Sequence, residues 1–443
     1  MSATTEQPDV RPSRLSRDEI EANFADLHPP LSRSAALVEA DRCYFCFDAP
    51  CTAACPTGID IPVFIQQIRS DNVEGSAYTI LRENIMGGMC ARVCPTEVLC
   101  EEACVRNSHE EKPVEIGLLQ RYATDPVIAA GTQLFPRAAS TGKTIAVVGG
   151  GPAGLSCAHR LAMLGHDVVV FNRDNKPGGL NEYGIAAYKT VDDFAQAEID
   201  YILSIGGIEV RNGITLGVDI QLPGLIAEYD AVFLGVGLSG SNELGIDGED
   251  KDGVVNAIDY IAELRQANDK SALPVGRTVV VIGGGMTAID IAVQSRHLGA
   301  EQVDIVYRRG PEQMSASAFE QALAQTAGVT IHFRAPPKRI LGDAHVTGVE
   351  FEADGGKLVL EADIVFKAIG QQLAGFDEVE MKNGRIVVDA CHRTSLDGVW
   401  AGGDCVAGGD DLTVWAVEHG KLAAIDIDRH LAAADIDRAL REG

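Results

Sequence analysis

The sequence predicts an α/β protein in which an all-helical region precedes two copies of one strand–turn–helix unit. Three observations lead to this fold class. Short β-branched runs alternate with helical patterns from Lys143 onwards. A glycine-rich turn between a strand and a helix occurs twice, within 144–165 and within 278–299. The region before them shows no strand alternation, but it holds eight of the chain's 11 cysteines.

Length and charge limit the possible functions. A chain of 443 residues with 46% hydrophobic residues can form two or three packed domains. The formal net charge of −27 argues against a nucleic-acid partner and against an anionic membrane. No apolar run reaches the ~18 residues of a membrane span, and the N-terminal residues lack the apolar core of a secretory signal. We therefore expect a cytoplasmic protein with reduced cysteines.

The helical region is predicted to span 1–135. Residues 62–84 have the apolar spacing of helices. Residues 124–142 are rich in turn formers and predict a linker. Cys157 lies in a helical pattern and is expected to be a small buried residue. The predicted core positions of the helical region are Val63, Phe64, Ile68, Ala77, Ile80 and Leu81.

The cysteines follow the spacing of iron–sulfur ligands. The run CYFCFDAPCTAACP at 43–56 reads C-x2-C-x4-C-x3-C-P, and CARVCPTEVLCEEAC follows at 90–104. Such a run is typical of [4Fe–4S] clusters, with its fourth cysteine serving a second cluster. One zinc ion would take only four ligands, and redox thiols are a further alternative. The crossover assigns Cys43, Cys46 and Cys51 to one cluster and Cys55 to the other, and a simple count of eight thiols includes Cys90.

The first glycine turn predicts an FAD site. TIAVVGGGPAGL at 144–155 carries Gly149-x-Gly151-x-x-Gly154 between a strand and a helix. These glycines permit a tight turn, a close approach of the backbone to a pyrophosphate, and close helix packing. The second strand ends in Asn172, where an acid normally binds the ribose hydroxyls. The candidate FAD contacts are Gly149, Gly151, Pro152, Ala153, Gly154, Asn172, Gly179, Leu180 and Gly237.

The second glycine turn predicts a nicotinamide cofactor. RTVVVIGGGMTA at 277–288 carries Gly283-x-Gly285-x-x-Ala288, and the next strand ends in Tyr307, Arg308 and Arg309. Arginines there attract a 2′-phosphate, which favours NADPH over NADH, although a solvated basic pair is the alternative. The candidate contacts are Gly283, Gly285, Met286, Thr287, Ala288, Arg308, Arg309 and Gly370.

A third glycine pair completes the predicted FAD domain. Gly402-Gly403-Asp404 follows a strand, and a helical pattern starts at Thr413. In two-dinucleotide flavoproteins such an aspartate meets the flavin ribityl chain, and the helix N-terminus faces the flavin ring. The candidate contacts are Gly403, Asp404, Thr413 and Val414. The predicted FAD domain is therefore split into 141–250 and 391–443, and the NAD(P)H domain at 251–390 is inserted in a Rossmann-like two-dinucleotide flavoprotein fold.

Two cysteine runs, GGGPAGL, GGGMTA with YRR, and AGGD together resemble the small, flavin-bearing subunit of glutamate synthase and its relatives, over nearly the whole chain. Within that family, EIGLLQRYATD at 115–125 is most similar to dihydropyrimidine dehydrogenases, whose bacterial form has a separate flavin and iron–sulfur subunit (PreT type). The resemblance implies a glutamine, here Gln120, as a cluster ligand. It assigns one [4Fe–4S] cluster to Cys43, Cys46, Cys51 and Cys104, and the second to Cys55, Cys94, Cys100 and Gln120, with Cys90 spare.

The resemblance also implies the function. Such a subunit takes a hydride from NADPH or NADH onto FAD and passes single electrons through two [4Fe–4S] clusters. The acceptor is an FMN-binding catalytic subunit (PreA type) that reduces uracil or thymine, and the two subunits form a heterotetramer. The alternatives are the small subunit of glutamate synthase, a flavin disulfide reductase with its redox cysteines beside the flavin, and a non-catalytic binding module. No pyrimidine-reducing apparatus is recognised in this sequence.

Overall fold

The computed structural model describes residues 8–353, 355–373 and 378–442. These residues divide into two compact units. Unit 1 comprises 8–27, Tyr183–Val191 and Gly240–Gln371, and unit 2 comprises His28–Glu182, Asp192–Ser239 and the described residues from 372 onwards. Both contain a parallel sheet with helices, which confirms the predicted fold class. None of the helices in these ranges is long and apolar enough to cross a membrane.

Unit 1 is built on a five-stranded parallel sheet whose central strand enters the second glycine turn. Burial of both faces explains the run of valine and isoleucine in that strand. In spatial order the strands are Thr330–His332, Gln302–Val306, Thr278–Gly283, Ile364–Ala368 and Val254–Asn256. The antiparallel strands Pro337–Leu341, Gly348–Ala353 and Gly356–Glu361 form a second sheet. The helices are Arg17–Asn23, Ala257–Gln266, Met286–His297 and Ala318–Thr326, with 3₁₀ turns at Lys270–Ala272 and Pro311–Gln313.

Unit 2 is built on a second five-stranded parallel sheet, and the strand before the first glycine turn lies at its centre. In spatial order the strands are Val399–Ala401, Ala231–Leu234, Thr144–Val148, Asp167–Asn172 and Ile208–Asn212. Met381–Lys382 and Arg385–Ile386 form a short antiparallel pair. The short strands Gly240–Ser241 and Gln371–Gln372 lie at the two ends of the segment Gly240–Gln371, which belongs to unit 1. The helices of this part are Pro152–Met163, Leu180–Tyr183, Phe194–Leu203, Leu222–Glu228 and Thr413–Glu442.

The cysteine-bearing part of unit 2 is helical. Its helices are Arg33–Asp41, Pro50–Ala54, Ile61–Arg69, Val73–Glu83, Gly87–Val93, Asn107–Glu110 and Ile116–Ala130, with a 3₁₀ turn at Thr96–Val98. Side-chain oxygens of Ser32, Asp60 and Asn72 cap the N-termini of three of them. Of the six predicted core positions five are buried, but Val63 is exposed, because its helix turns Ile61 and Phe64 inward instead.

The structure differs from the predicted linker and domain boundaries. Residues 124–130 continue a helix through Pro126, because Val127 and Ile128 pack in the core, and the helix ends at left-handed Gly131. Residues 8–27 group with unit 1, where Val10–Arg11 pairs with Val275–Gly276. The described residues of 372–390 group with unit 2, in which Ile386 N–H donates to the carbonyl of Cys405.

Candidate functional site

Four thiols of the cysteine runs line one cavity in unit 2. They are Cys43, Cys46 and Cys51 of the first run and Cys104 of the second, and apolar residues such as Ile61 and Ile65 complete the lining. Burial raises the pKa of Cys43, and it raises the pKa of Cys51 to about 11. The free thiols of Cys43 and Cys51 are therefore protonated at pH 7, and a metal cluster would displace their protons on binding.

A second group of thiols forms around Cys94 and Cys100. A hydrogen bond with Cys90, burial, and the nearby Cys100 and Cys55 raise the pKa of Cys94. Burial, Glu101 and Cys55 do the same to the pKa of Cys100. Among the described residues, no three His, Cys, Asp or Glu side chains gather as they would around a single metal ion. Four thiols thus line the cavity, and a second group, Cys55, Cys90 and Cys100, lies near Cys94.

Gln120 is a buried amide in this region. It lies on the helix Ile116–Ala130, and its Nε2 donates to the carbonyl oxygen of Gly87 at 2.6 Å. Since this bond uses the amide nitrogen, the oxygen is the atom left to bind a metal. An amide oxygen can ligate iron, so the chemistry of the residue fits the predicted role, and the ligand set itself stays a prediction.

The first glycine turn has the steric requirements that its motif predicts. Gly149 has a φ of +107°, and a Cβ there would lie 2.2 Å from the carbonyl oxygen of Gly235. A Cβ on Gly154 would lie 1.9 Å from the carbonyl oxygen of Gly149. Gly151 is the N-cap of the helix Pro152–Met163, so the free N–H groups of that helix point to where a pyrophosphate would bind.

The other predicted FAD contacts in unit 2 lie at the same edge of the sheet. Asn172, Gly237 and Gly403 each end or follow a strand parallel to Thr144–Val148, and carboxyl ends of parallel strands meet at one edge. Gly179 (φ +54°) approaches the first turn, since a Cβ there would lie 2.9 Å from Cα of Gly151. This edge of the sheet thus brings together candidate residues from distant parts of the sequence.

Asn172 has a structural task that the sequence did not indicate. It is buried, and its Nδ2 donates to the carbonyls of Asp174 and Lys176 and to Oδ1 of Asn212. The side chain therefore organises the loop after its strand. Only its Oδ1 is left to accept a hydrogen bond from a ribose hydroxyl.

The turn that carries Asp404 is held by a histidine which sequence reasoning missed. The N–H of Gly403 donates to Nδ1 of His419 at 3.2 Å. Burial lowers the pKa of His419 to about 4, so the ring is a neutral acceptor at pH 7. Burial also raises the pKa of Asp404 to about 6, aided by Asp411 and opposed by Arg385.

The start of the C-terminal helix is tied to the segment after the first turn. Thr413, its first residue, donates from Oγ1 to Oδ1 of Asn181 at 2.7 Å, and Val414 is buried. Leu180, next to Asn181, is exposed. The predicted helix from Thr413 is confirmed, and its N-terminus lies at the same loops as the other candidate residues of unit 2.

Unit 1 repeats this geometry. Gly283 (φ +155°) ends its strand, and a Cβ there would lie 2.2 Å from the carbonyl oxygen of Ala368. Gly285 caps the helix Met286–His297, whose Thr287 is half-buried and whose Ala288 is fully buried. Gly370 follows the neighbouring strand Ile364–Ala368.

Arg308 and Arg309 follow the strand Gln302–Val306, at the carboxyl edge of the same sheet. Both are exposed, and neither guanidinium forms an ion pair with a residue in the described ranges. The ring of Tyr307, just before them, packs over Gly284, where a Cβ would lie 2.4 Å from the ring. The pair thus lies at the sheet edge that also carries the second glycine turn.

Two glycine turns, each at the carboxyl edge of a parallel sheet, and a thiol-rich helical region define a pyridine nucleotide oxidoreductase that carries an iron–sulfur domain. Residues 143–420 match the family described as pyridine nucleotide-disulphide oxidoreductase, and residues 20–132 match dihydropyrimidine dehydrogenase domain II, 4Fe-4S cluster. The chain belongs to the family that includes the PreT subunits of dihydropyrimidine dehydrogenase and the small chains of glutamate synthase.

Individual relatives cover almost the whole chain. The PreT subunit of NAD-dependent dihydropyrimidine dehydrogenase from Salmonella typhimurium is 35% identical over 93% of this chain and 98% of its own length. The small chain of NADPH glutamate synthase from Escherichia coli is 33% identical over 94% of this chain and 95% of its own. These matches confirm the predicted family and oxidoreductase class.

Solved structures agree on the fold. FprA from Mycobacterium tuberculosis in complex with NADPH superposes with a TM-score of 0.57 at 18% identity, covering 67% of this chain and 86% of FprA. Thioredoxin reductase from T. acidophilum gives a TM-score of 0.52 at 20% identity, covering 66% of this chain and 99% of the reductase. Both likenesses concern the two-dinucleotide fold.

Proposed function

We propose that this chain is the electron-input subunit of an NAD(P)H-dependent dihydropyrimidine dehydrogenase. It passes electrons from NAD(P)H through FAD and two [4Fe–4S] clusters to an FMN-containing partner subunit that reduces uracil or thymine. In this proposal unit 1 binds NAD(P)H, and unit 2 binds FAD and the clusters. The observation that carries it is the division of the thiols into two groups within the unit that also holds the first glycine turn.

The cavity of four thiols supports the first cluster. Its cysteines, Cys43, Cys46, Cys51 and Cys104, come from both runs and are the set that the family resemblance implies. These four thiolates would hold the cluster, which would supply one-electron transfer when bound. The apolar lining would shield such a cluster from water.

The geometry around Cys94 supports Gln120 over Cys90 as the last ligand of the second cluster. A hydrogen bond with Cys90 is the largest cause of the raised pKa of Cys94. Cys90 is therefore placed to donate a hydrogen bond to a ligand, as second-shell groups do, while Gln120 supplies the oxygen.

The residues at the two sheet edges position the nucleotides. The glycines of each turn admit the backbone close to a pyrophosphate, and the following helix N-terminus faces its charge. Asp404 and the N-terminus at Thr413 flank the flavin. Bound FAD supplies the conversion between two-electron and one-electron transfer.

Exposed Arg308 and Arg309, without ion pairs to described residues, support NADPH as the coenzyme. The dihydropyrimidine dehydrogenase relatives are named NAD-dependent, and the glutamate synthase relatives are named for NADPH. The coenzyme and the acceptor therefore need separate tests.

The partner experiment tests the function. The purified chain alone should oxidise NAD(P)H with ferricyanide but should not reduce uracil. Mixed with the FMN-binding subunit, it should consume NAD(P)H when uracil is present. Anaerobic analysis should give about eight irons per FAD. Four irons, zinc in place of iron, or uracil turnover by this chain alone would contradict the proposal.

A second candidate is the small subunit of glutamate synthase, which the 33% identity over 94% of the chain favours. Purification of the native complex followed by mass spectrometry separates the two candidates. An FMN-binding partner supports the dehydrogenase. A large partner with glutamine-dependent glutamate formation supports the synthase.

A further inference from the structure

A short segment, Met86–Met89, connects the candidate flavin loops with Gln120 in unit 2. On one side Asn181, which accepts from Thr413, donates from Nδ2 to Sδ of Met86 at 3.6 Å. On the other side Gln120 donates to the carbonyl oxygen of Gly87 at 2.6 Å. A displacement of this segment would therefore move the amide of Gln120 directly, and it would reach the flavin-side loop only through the longer contact of Met86.

The carboxyl group of Glu198 binds this segment through two backbone N–H groups. Oε1 of Glu198 accepts the N–H groups of Gly88 at 2.7 Å and of Met89 at 3.1 Å. Glu198 is 1% exposed, and its Oε2 has no hydrogen-bond partner among the described residues. Such a carboxyl group is costly to bury, which points to a specific task.

The backbone at Gly88 packs closely against Glu198 and its neighbours. A Cβ on Gly88 would lie 2.8 Å from Oε1 of Glu198 and 2.5 Å from the ring of Phe194. The guanidinium of Arg92 lies 3.3 Å above the same ring, bonds the carbonyl oxygen of Gly88 and forms a bidentate pair with Asp125. Hydrogen bonds from side chains to both N–H and carbonyl groups thus fix the start of the helix Gly87–Val93.

We propose that Glu198 is a positioning residue that fixes the Met86–Met89 segment and thereby aligns the amide of Gln120 as a ligand of the second cluster. The inference rests on the proposed function, because it takes Gln120 to be a cluster ligand. Burial raises the pKa of Glu198 to about 8, against the pull of the bound N–H groups and Arg92. A neutral carboxyl group at pH 7 has a close mimic in glutamine, and this gives a conservative variant.

The experiment compares variants of the full chain, purified anaerobically. Gln120→Ala first identifies which signal in the reduced EPR spectrum belongs to the amide-ligated cluster. Glu198→Ala should alter that same signal, or remove about half of the iron, and leave the other cluster signal and the FAD content unchanged. Glu198→Gln should restore the wild-type spectrum, since its amide oxygen can accept the same two N–H bonds.

Asp426→Asn is the matched control, a buried carboxylate of the same unit that pairs with Arg393 and Trp400 instead. It should change neither EPR signal. If Glu198→Ala does not fold, Glu198→Asp replaces it, because one methylene less prevents contact with both N–H groups. An unchanged signal in the folded alanine or aspartate variant, or equal changes in both clusters and FAD, would overturn the inference.

The outcome is separable from that of the proposed function. If Gln120→Ala leaves both signals intact, the ligand assignment and the role of Glu198 both fail. Eight irons per FAD and uracil-dependent turnover with the partner would still support the electron-input subunit in that case.

Discussion

Replacing Lys189 by methionine should destabilise unit 1 more than any exposed ion pair could. Nζ of Lys189 lies 2.7 Å from Oδ1 of Asp290 and 2.7 Å from Oε1 of Glu320. All three side chains are less than one-tenth exposed. Asp290 belongs to the helix that starts at the second glycine turn, so this cluster supports the element that would face a bound nicotinamide cofactor.

The expected loss follows from what the substitution leaves behind. Two buried carboxylates would lose their cation, and removal of one partner of a buried pair costs about 3–5 kcal/mol. Burial would lower the pKa of Lys189, but the two carboxylates outweigh it and raise the pKa. A raised lysine pKa stabilises the fold fully below the unfolded value of about 10.4, and the contribution is lost as pH rises through the folded value. The whole effect should therefore be present at pH 7.

Urea unfolding of the full chain measures this loss of stability in unit 1. With a slope of about 2 kcal/mol per molar urea, the midpoint of the unit 1 transition should fall by roughly 1.5–2.5 M. Both tryptophans, Trp400 and Trp415, lie in unit 2, so their fluorescence follows that unit while circular dichroism follows both. Lys338→Met is the control, since its pair with Glu352 is more than half exposed on both sides. Equal midpoint changes in the two variants would refute the reasoning.

Three further outcomes are expected. Gly154→Ala should abolish FAD retention on gel filtration, because the new Cβ would lie 1.9 Å from the carbonyl oxygen of Gly149. Gly224→Ala is the control and should retain FAD, since no atom lies within 4 Å of a Cβ at that position. Replacement of Arg308 and Arg309 by alanine should raise the KM for NADPH and leave the KM for NADH unchanged. Each lost charged hydrogen bond is worth about 1.5–3 kcal/mol, which corresponds to about 10-fold or more in KM. Unchanged NADPH kinetics would show that the pair is merely solvated. Acid should destabilise the fold between about pH 6.5 and 3. Burial lowers the pKa of His159 to about 3, so His159 takes up its proton at a higher pH in the unfolded chain than in the folded chain. A melting temperature of His159→Leu that depends on pH as strongly as that of the wild type would contradict this.

The elements that repeat a local pattern could be predicted from the sequence. Both strand–turn–helix units appear where the glycine spacing placed them, because the turn sterics are local to about ten residues. The helix from Thr413 likewise follows from its own apolar spacing. The prediction that Val63 is a core residue was wrong, because helical spacing alone leaves open which face of a short helix meets the core.

The contacts that hold the site together could not be predicted from the sequence. His419 binds the turn at Gly403 from 16 residues away, and Glu198 reaches Gly88 across 110 residues. Nothing in the local sequence marks either residue, since each looks like an ordinary member of an amphipathic helix. Their roles depend on which segments the tertiary fold brings together, and a single sequence holds no record of that.

One sequence signal could have located the connecting segment. Two successive glycines, Gly87 and Gly88, begin a helix in which each costs about 1 kcal/mol relative to alanine. Neither has a positive φ, so backbone conformation does not require them. A glycine pair inside a helix without conformational need indicates close packing, and here a Cβ on either residue would lie 2.5 Å from a neighbouring side chain, Ile80 or Phe194. The pair therefore marked a point of close approach, although only the structure shows that the approaching group is the buried carboxyl of Glu198.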